Sequence, residues 1–536
     1  MVALRKYQLF LLSIAFGLLM AAAWPERGLS FLAFIAWIPM LWLQDYIFRN
    51  PNLFGRNAIV LFAFPGFLIW NVLTTFWIYN STDIGSILAF VLNSIFMSIT
   101  FGVWHFVRRN VFFKGFGYFA LPAIWISFEY LHQDWDLTWS WLNLGNVFAS
   151  DYQWIQWYEF TGSFGGAIWI FAANIVGWHA LKKWIYERNI KASVFRLIPF
   201  ILLIFIPLII SLISYHNYQP QGKTAEIVVV QPDIDPYNEE YSTPIPQLLN
   251  NMLTLARQKT DAEVDMVLFP ESSIAYTMWE ADFPLTSVYD SMQRFVETYQ
   301  TSIVMGLSTR VLFPEGAEID AAAKVLNNGE GYFANYNTAA FIDAFGKWDF
   351  YHKAKLVPGV ERMPFPRLLK PLESMAIDLG GATGSLGTSK DRSVFQFKDV
   401  KLGPIICYES IYGEFVTGYV RNGANLLGII TNDGWWGNTP GHRQHYEYAR
   451  LRAIETRRDV ARSANTGISG FFNQRGDDQQ ATEYWEPDVC RATVNLNESK
   501  TFYVVYGDYI ARLSGFLSAL LLLMALSFRL RKKRSI

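Results

Sequence analysis

Only two of the 536 residues are cysteine, Cys407 and Cys490, so a single disulfide is the most the chain can form and a disulfide-stapled scaffold is excluded. An excess of either charge is missing too. The net charge is -1, which leaves no global basic field, and no nucleic-acid partner is expected. The sequence has no internal repeat, no low-complexity tract, no glycine-rich phosphate loop and no His/Cys cluster at metal-ligand spacing. His442 and His445 stand as a lone pair at i, i+3 with no carboxylate pattern beside them, so a structural or surface role is expected for both.

Apolar residues are plentiful. The chain is 52% hydrophobic and 17% aromatic, with 20 tryptophans, a composition that points to a membrane protein. Stretches long enough to cross a hydrocarbon core lie at about 7–24, 31–47, 57–79, 86–107, 115–131, 162–181, 196–214 and 509–528. Seven of the eight fall before residue 215, and a long charged, globular-looking region precedes the last. The expected organisation is a seven-span bundle over 1–215, a soluble domain over 220–505, and a final transmembrane helix with a basic tail over 509–536. The first stretch ends in "MAAAWP", which resembles a signal-peptide cleavage site, but six further spans follow it and it is taken as a helix.

Lysine and arginine in the short loops set the orientation. Arg5 and Lys6, Arg49 and Arg56, Arg108, Arg109 and Lys114, "KKWIYERNIKASVFR" and "RLRKKRSI" all fall on one side. Two of the opposite loops, "NSTDIG" and "LHQDWDLTWSWLNLGNVFASDYQWIQWYEF", contain neither residue. Both termini are therefore expected in the cytoplasm and the soluble domain outside it, in the periplasm of a two-membrane bacterium. The five tryptophans of the longer loop suit a belt at the headgroup level or a lip admitting lipid.

The soluble region alternates short apolar runs, such as "AEIVVVQPDI", "VDMVLFPESSI", "SIVMGLST" and "ANLLGIITND", with amphipathic stretches, such as "PIPQLLNNMLTLARQKT" and "HYEYARLRAIETRRDVARSAN". In the latter, Tyr446, Ala449, Ala453 and Val460 stand near helical spacing. This pattern predicts an α/β layered sandwich whose strands are buried on both faces. Three polar residues follow apolar runs: Glu271 after "VDMVLFP", Lys353 in "FYHKAKLVPGVERMPF", and Cys407 in "GPIICYES". Strand ends are where α/β folds place chemistry, and an acid, an ammonium and a thiol are what acyl transfer through a thioester uses. The carboxylate would take the thiol's proton, and the ammonium with the Tyr408 amide would hold the oxyanion.

These residues, in this order and in "PE", "K…LVP" and "CYE" contexts, resemble the nitrilase superfamily. With the multispan bundle and the closing span, the whole chain resembles the membrane branch of that superfamily, the bacterial apolipoprotein N-acyltransferases. The resemblance implies a multispan α-helical membrane bundle of about eight helices joined to a nitrilase-like αββα domain. It implies Glu271 as general base, Lys353 as oxyanion ammonium and Cys407 as nucleophile. In the family a glutamate follows the catalytic lysine by eight positions, which selects Lys353 over Lys355 and makes Glu361 an active-site support, with Tyr408 and Glu409 beside the nucleophile. It implies a phospholipid acyl donor, a diacylglyceryl apolipoprotein acceptor and no cofactor; soluble nitrilase relatives assemble through their domains, but membrane anchoring opposes that geometry and a monomer is expected. Two departures stand out: "PGVE" replaces the more usual "PFGE", and the tryptophan often found after the first strand is missing from "VQPDIDPYNEEYSTP", where Tyr241 offers a substitute. Two other readings are a membrane-anchored nitrilase-like amidase, in which water resolves the acyl-enzyme, and a transporter or receptor with a periplasmic binding domain. The last predicts a pathway of ionisable residues within the spans, and those present, such as His105 and Glu129, are few and near span ends.

Overall fold

Long apolar runs in a bilayer must satisfy their backbone groups internally, and this chain does so with helices. The structure, a computed structural model, describes residues 4–55, 57–112, 117–239, 242–316, 322–326, 329, 331–365 and 385–534; Arg56, Lys114 and Tyr241 lie outside the described residues. The chain forms two units, one made of Met1–Tyr79, Asp83–Asn217 and Asp508–Ile536, the other of Asn80–Thr82 and Tyr218–Gly507.

In the first unit, and among the described residues, seven helices are long and apolar enough to cross a membrane: Lys6–Ala23, Ser30–Arg49, Ala58–Asn80, Asp83–Val111, Ser163–Glu187, Ile190–Asn217 and Tyr509–Lys532. The stretch expected to span from about 115 to 131 is helical over Ala120–Leu131. A helix of that length rises only about 18 Å, short of a hydrocarbon core of about 30 Å. Its start is delayed by Gly117, whose φ of +101° no right-handed helix accommodates. Pro207 lies inside the Ile190–Asn217 helix and has no N–H for the carbonyl of Leu203 four residues back. Trp169 supplies the missing donor, its Nε1 reaching the Leu203 oxygen at 2.6 Å.

Several ionisable residues of this unit gather around Asp45. Asp45, fully buried, accepts from Arg108 Nη2 at 2.9 Å, Lys182 Nζ at 3.0 Å, Tyr118 Oη at 2.7 Å and Arg49 Nε at 2.7 Å. Arg108 thus lies inside a helix as a buried counter-ion rather than in a loop. His105 Nδ1 lies 2.9 Å from Gln44 Nε2, and Glu129 Oε1 accepts from Trp125 Nε1 at 2.9 Å and the Leu144 N–H at 2.8 Å. Such mutual pairing joins helices to one another. Trp141 of the tryptophan-rich loop is 1% exposed and packs on Trp77 at 4.7 Å, so it is a core residue rather than part of a headgroup belt.

Among the described residues the second unit contains two sheets. The first holds β1 (Lys223–Gln231), β2 (Met266–Leu268), β3 (Ile274–Trp279), β4 (Ser302–Phe313), β5 (Lys324–Val325), β6 (Tyr332–Asp343), β7 (Trp348–His352) and a late strand, Asp488–Leu496, in the order Asp488–Leu496, β1, β2, β4, β6, β5, with β3 paired to β4 and β7 to β6. The second holds β8 (Phe395–Phe397), β9 (Val400–Ile406), β10 (Leu426–Thr431), β11 (Val460–Ala464), β12 (Gly470–Phe472) and β13 (Asp478–Gln479), in sequence order across the sheet. Strands β1, β2 and β4 run parallel, as do β9, β10 and β11, so each sheet gathers its strand ends on one edge. The helices Ile245–Arg257 and Ser287–Tyr299 cover the first sheet. Leu248, Leu249, Met252 and Leu253 of one, with Val288, Met292, Phe295 and Val296 of the other, pack on Val228, Val267, Ile303 and Met305, the i, i+3, i+4 stripe an amphipathic helix buries. Ser463 Oγ of β11 donates to the Val230 carbonyl of β1 at 2.7 Å, tying sheet to sheet. Val460, placed on a helix face by its spacing, belongs to β11: the Pro440–Thr456 helix ends at Arg457, which is left-handed at φ +49°, and the chain reverses into the strand.

Candidate active site

Glu271 follows β2 after Phe269 and Pro270. The ladder to β4 continues past the strand, with the Phe269 N–H donating to the Val304 carbonyl at 2.8 Å and the Gly306 N–H to the Pro270 carbonyl at 3.0 Å. A Cβ at Gly306 would stand 2.5 Å from both the Glu271 Cα and the Pro270 oxygen, so only glycine lets the strand approach this backbone so closely. Gly306→Ala is expected to push Glu271 out of place and to slow thiol acylation by about tenfold to a hundredfold, the scale of an ångström-sized misplacement. Single-turnover mass spectrometry checks this, and an unchanged rate would show that Glu271 need not sit where it does.

Lys353 directly follows β7, and its N–H donates to the Asn337 carbonyl at 2.8 Å. The side chain is 1% exposed. Its Nζ lies 2.9 Å from Glu271 Oε1 and 2.8 Å from Glu361 Oε1. The same two oxygens accept from Asn337 Nδ2, at 2.7 and 3.0 Å. The other oxygen of Glu271 accepts from the Asn432 N–H at 3.1 Å, and the other oxygen of Glu361 from the Val357 N–H at 2.8 Å. Burial opposes the charge on Lys353, yet Glu271 and Glu361 hold its ammonium well above the usual lysine range. Lys355 goes elsewhere, because the chain leaves its strand after His352 and bends. The Ala354 and Lys355 N–H groups both donate to Glu409 Oε1, at 2.6 and 3.3 Å, and the Lys355 ammonium sits 5.3 Å over the Tyr412 ring.

Cys407 directly follows β9 and opens a short 3₁₀ turn, Cys407–Ile411. Its φ is +49°, a left-handed conformation that costs a residue with a Cβ about 1–2 kcal/mol. Burial, and after it the Glu271 carboxylate, push the thiol well above its usual range against the opposing pull of Lys353, with Asp433 raising it further. Both cysteines are free, and Cys490 Sγ contacts the Gln480 carbonyl at 3.3 Å. Glu409, fully buried, accepts on Oε1 from Tyr351 Oη at 2.7 Å as well as from the two amides above, and on Oε2 from the Ile406 N–H at 2.8 Å and Tyr419 Oη at 3.3 Å. Burial pushes its carboxyl up, while these donors pull it down. Glu409 therefore pins the lysine-bearing segment to the turn that carries the thiol. Tyr408 is 4% exposed and meets Tyr412 edge-on at 5.3 Å.

The structure thus brings the six candidate residues to one place, and adds several that sequence reasoning passed over. Asn337 lies within β6 among other polar residues, Asn335 and Thr338, so nothing in the pattern singled it out. Asn432 and Asp433 follow "LLGIIT" directly, so they too stand at a strand end. His445 carried no such signal, and it is buried at 1% exposure rather than at the surface. The Cys407 sulfur, an Asp433 oxygen and a His445 ring nitrogen lie within 4.8 Å of one another, a donor set chemically able to hold a metal. Arg462 Nη2, however, lies 2.6 Å from Asp433 Oδ2 and 3.2 Å from His445 Nδ1. Burial works against the Asp433 charge, but Arg462 and His445 hold its carboxyl well below the usual range. The guanidinium already occupies the cationic role, and these residues do not fit a resident metal ion.

Two sheets with parallel strands ending beside a carboxylate, an ammonium and a thiol are the architecture of a carbon-nitrogen hydrolase domain. The Carbon-nitrogen hydrolase profile matches residues 227–502, and that of the Apolipoprotein N-acyltransferase N-terminal domain matches residues 16–176. The chain belongs to the carbon-nitrogen hydrolase family, in its apolipoprotein N-acyltransferase branch. It is 29% identical over 96% of its length to the apolipoprotein N-acyltransferase of Chlorobaculum tepidum, covering 96% of that protein. It is 25% identical over 94% of its length to that of Geobacter metallireducens, covering 92%. Among solved structures, Nit3 of Saccharomyces cerevisiae, a member of branch 10 of the nitrilase superfamily, aligns with a TM-score of 0.36 at 13% identity, covering 52% of this chain and 93% of that one.

Proposed function

We propose that this protein is an apolipoprotein N-acyltransferase, moving a fatty acyl chain from a phospholipid through a thioester on Cys407 to the α-amino group of the N-terminal diacylglyceryl-cysteine of a lipoprotein. The observation that carries this reading is the Lys353 ammonium held between Glu271 and Glu361 at 2.9 and 2.8 Å, beside a thiol that burial keeps protonated. Two carboxylates and one ammonium leave a net negative charge. When Cys407 attacks the ester carbonyl, Glu271 takes the thiol proton, and the negative charge moves to the carbonyl oxygen beside Lys353 and the Tyr408 N–H. The carbon–oxygen bond then breaks, and the lysophospholipid leaves with the proton from Glu271. In the second half the acceptor amine attacks the thioester, Glu271 takes a proton from nitrogen, the carbon–sulfur bond breaks, and the thiol regains its proton. Glu361, Asn337 and Glu409 hold the geometry. The amidase and transporter readings are not favoured: the relatives that match along nearly the whole chain are acyltransferases.

The catalytic domain is placed on the periplasmic side of the inner membrane, with both termini in the cytoplasm, on the loop asymmetry of lysine and arginine. Intact-mass spectrometry of the purified protein after incubation with phospholipid alone tests the chemistry. An acyl-mass gain at Cys407, discharged by an amine-bearing diacylglyceryl peptide but stable to water, is expected. Discharge by water alone would make the protein a hydrolase, and no gain would remove the thioester.

A further inference from the structure

The peptide plane that joins Cys407 to Tyr408 is held from behind. Ser410 Oγ donates to the Cys407 carbonyl at 2.7 Å. The hydroxyl has one hydrogen, so its oxygen receives rather than donates at its other contact, His445 Nε2 at 2.9 Å. The same Nε2 stands 3.3 Å from the Cys407 carbonyl oxygen. The far side of the imidazole is fixed in turn: Nδ1 lies 2.9 Å from Asp433 Oδ1, which also accepts from Thr431 Oγ1 at 2.8 Å, while Arg462 clamps Asp433 Oδ2 at 2.6 Å. Ser410, Asp433, His445 and Arg462 are all at most 1% exposed, so water does not compete for these contacts.

A trans peptide is planar, and its N–H points opposite to its C=O. Fixing the Cys407 carbonyl on the imidazole side therefore fixes the Tyr408 N–H in the opposite direction. We infer that His445 is a positioning residue: acting through Ser410 and the Cys407 carbonyl, it aims the Tyr408 N–H at the oxygen of the acyl group under attack. The left-handed φ of Cys407 makes such a hold necessary, since this conformation persists only where its surroundings impose it. The inference rests on the thioester reading above and assigns His445, Ser410, Asp433 and Arg462 a place in it. They form a buried chain whose far end is the oxyanion donor.

The test separates aiming the amide from merely holding the thiol. Acylation by phospholipid passes through an oxyanion, whereas alkylation of the same thiol by iodoacetamide does not. Asparagine at position 445 can mimic Nδ1 but falls short of Ser410, and glutamine extends towards the Nε2 position. In the full-length enzyme, His445→Asn is expected to slow single-turnover acylation of Cys407 at saturating phospholipid by about tenfold to a hundredfold, the scale of losing one oxyanion donor. Half-saturation by phospholipid and the alkylation rate should stay within about twofold, a change too small to reflect a lost transition-state contact. His445→Gln should restore part of the lost rate, and Ser410→Ala, which removes only the link, should show the same split. An equal fall in alkylation and acylation would overturn the inference in favour of a thiol-holding role, as would unchanged acylation in both His445→Asn and Ser410→Ala. Absence of an acyl adduct on the wild-type Cys407 would instead strike the thioester reading itself.

Discussion

Cys407→Ser protein incubated with phospholipid is expected to gain no acyl mass and to lose transfer activity by about ten-thousandfold or more, the scale of removing a nucleophile. The substitution changes one atom in a site that is 8% exposed, so the melting temperature should stay near that of the wild type. The loss follows from the proton economy of the site. A thiol raised by burial and by Glu271 still yields its proton to a carboxylate far more readily than a hydroxyl does, and the nearby His445 ring is held by Ser410, the Cys407 carbonyl and Asp433. Intact-mass spectrometry with a thermal melt makes the comparison. Wild-type-like activity in the serine protein would remove the thioester mechanism.

Replacement of Lys353 by methionine should slow Cys407 acylation by about a hundredfold or more even at saturating phospholipid, while Lys355→Met changes it only a few-fold, a size typical of a group outside the reacting atoms. Two effects combine in the first variant. The oxyanion loses its ammonium, and Glu271 and Glu361, which share Lys353 at 2.9 and 2.8 Å, are left facing each other with only Asn337 between them. Like-charged carboxylates at such separation repel each other, which moves Glu271 from its place as a base. Lys355 is placed differently: its ammonium lies over Tyr412, and its backbone N–H donates to Glu409. The comparison is the single-turnover rate in the two variants, each first shown to melt cooperatively. Greater damage from Lys355→Met would reverse the assignment.

Periodicity, composition and residue order were enough to distinguish a helical, membrane-crossing part from an α/β sandwich, and to single out Glu271, Lys353 and Cys407 as polar residues closing apolar runs. These are local properties. An 18-residue apolar run has few ways to satisfy its backbone, and an apolar strand that ends in a charged residue places that residue at a sheet edge whatever its partners are. The eight-residue step from Lys353 to Glu361 came from the family resemblance, and the two side chains meet because both belong to one strand end and the turn after it. Alternation could not choose between Lys353 and Lys355, which share parity. The bend that parts them is made by Glu409, more than fifty residues later in the chain.

What only tertiary structure decided depends on strands that meet from distant parts of the sequence. Gly306 looks like any glycine in a strand until β4 is laid beside the Pro270–Glu271 backbone. Asn337 and Asn432 come from different sheets, and only the sandwich brings both to the same carboxylate. His445 showed no pattern at i, i+3 with His442, because its partners are Asp433 on a strand end, Arg462 within β11 and Ser410 in the nucleophile turn. The short helix at Ala120–Leu131 and the turn that sends Val460 into a strand are set by single left-handed residues, Gly117 and Arg457, which hydrophobic periodicity does not register. Sequence alone determined where apolar surface must be buried and which residues end the buried runs, because both follow from a few neighbours along the chain. Which of those ends meet, and what holds the thiol and its amide in position, was decided by packing between sheets, where a contact's cost and benefit depend on atoms hundreds of residues apart.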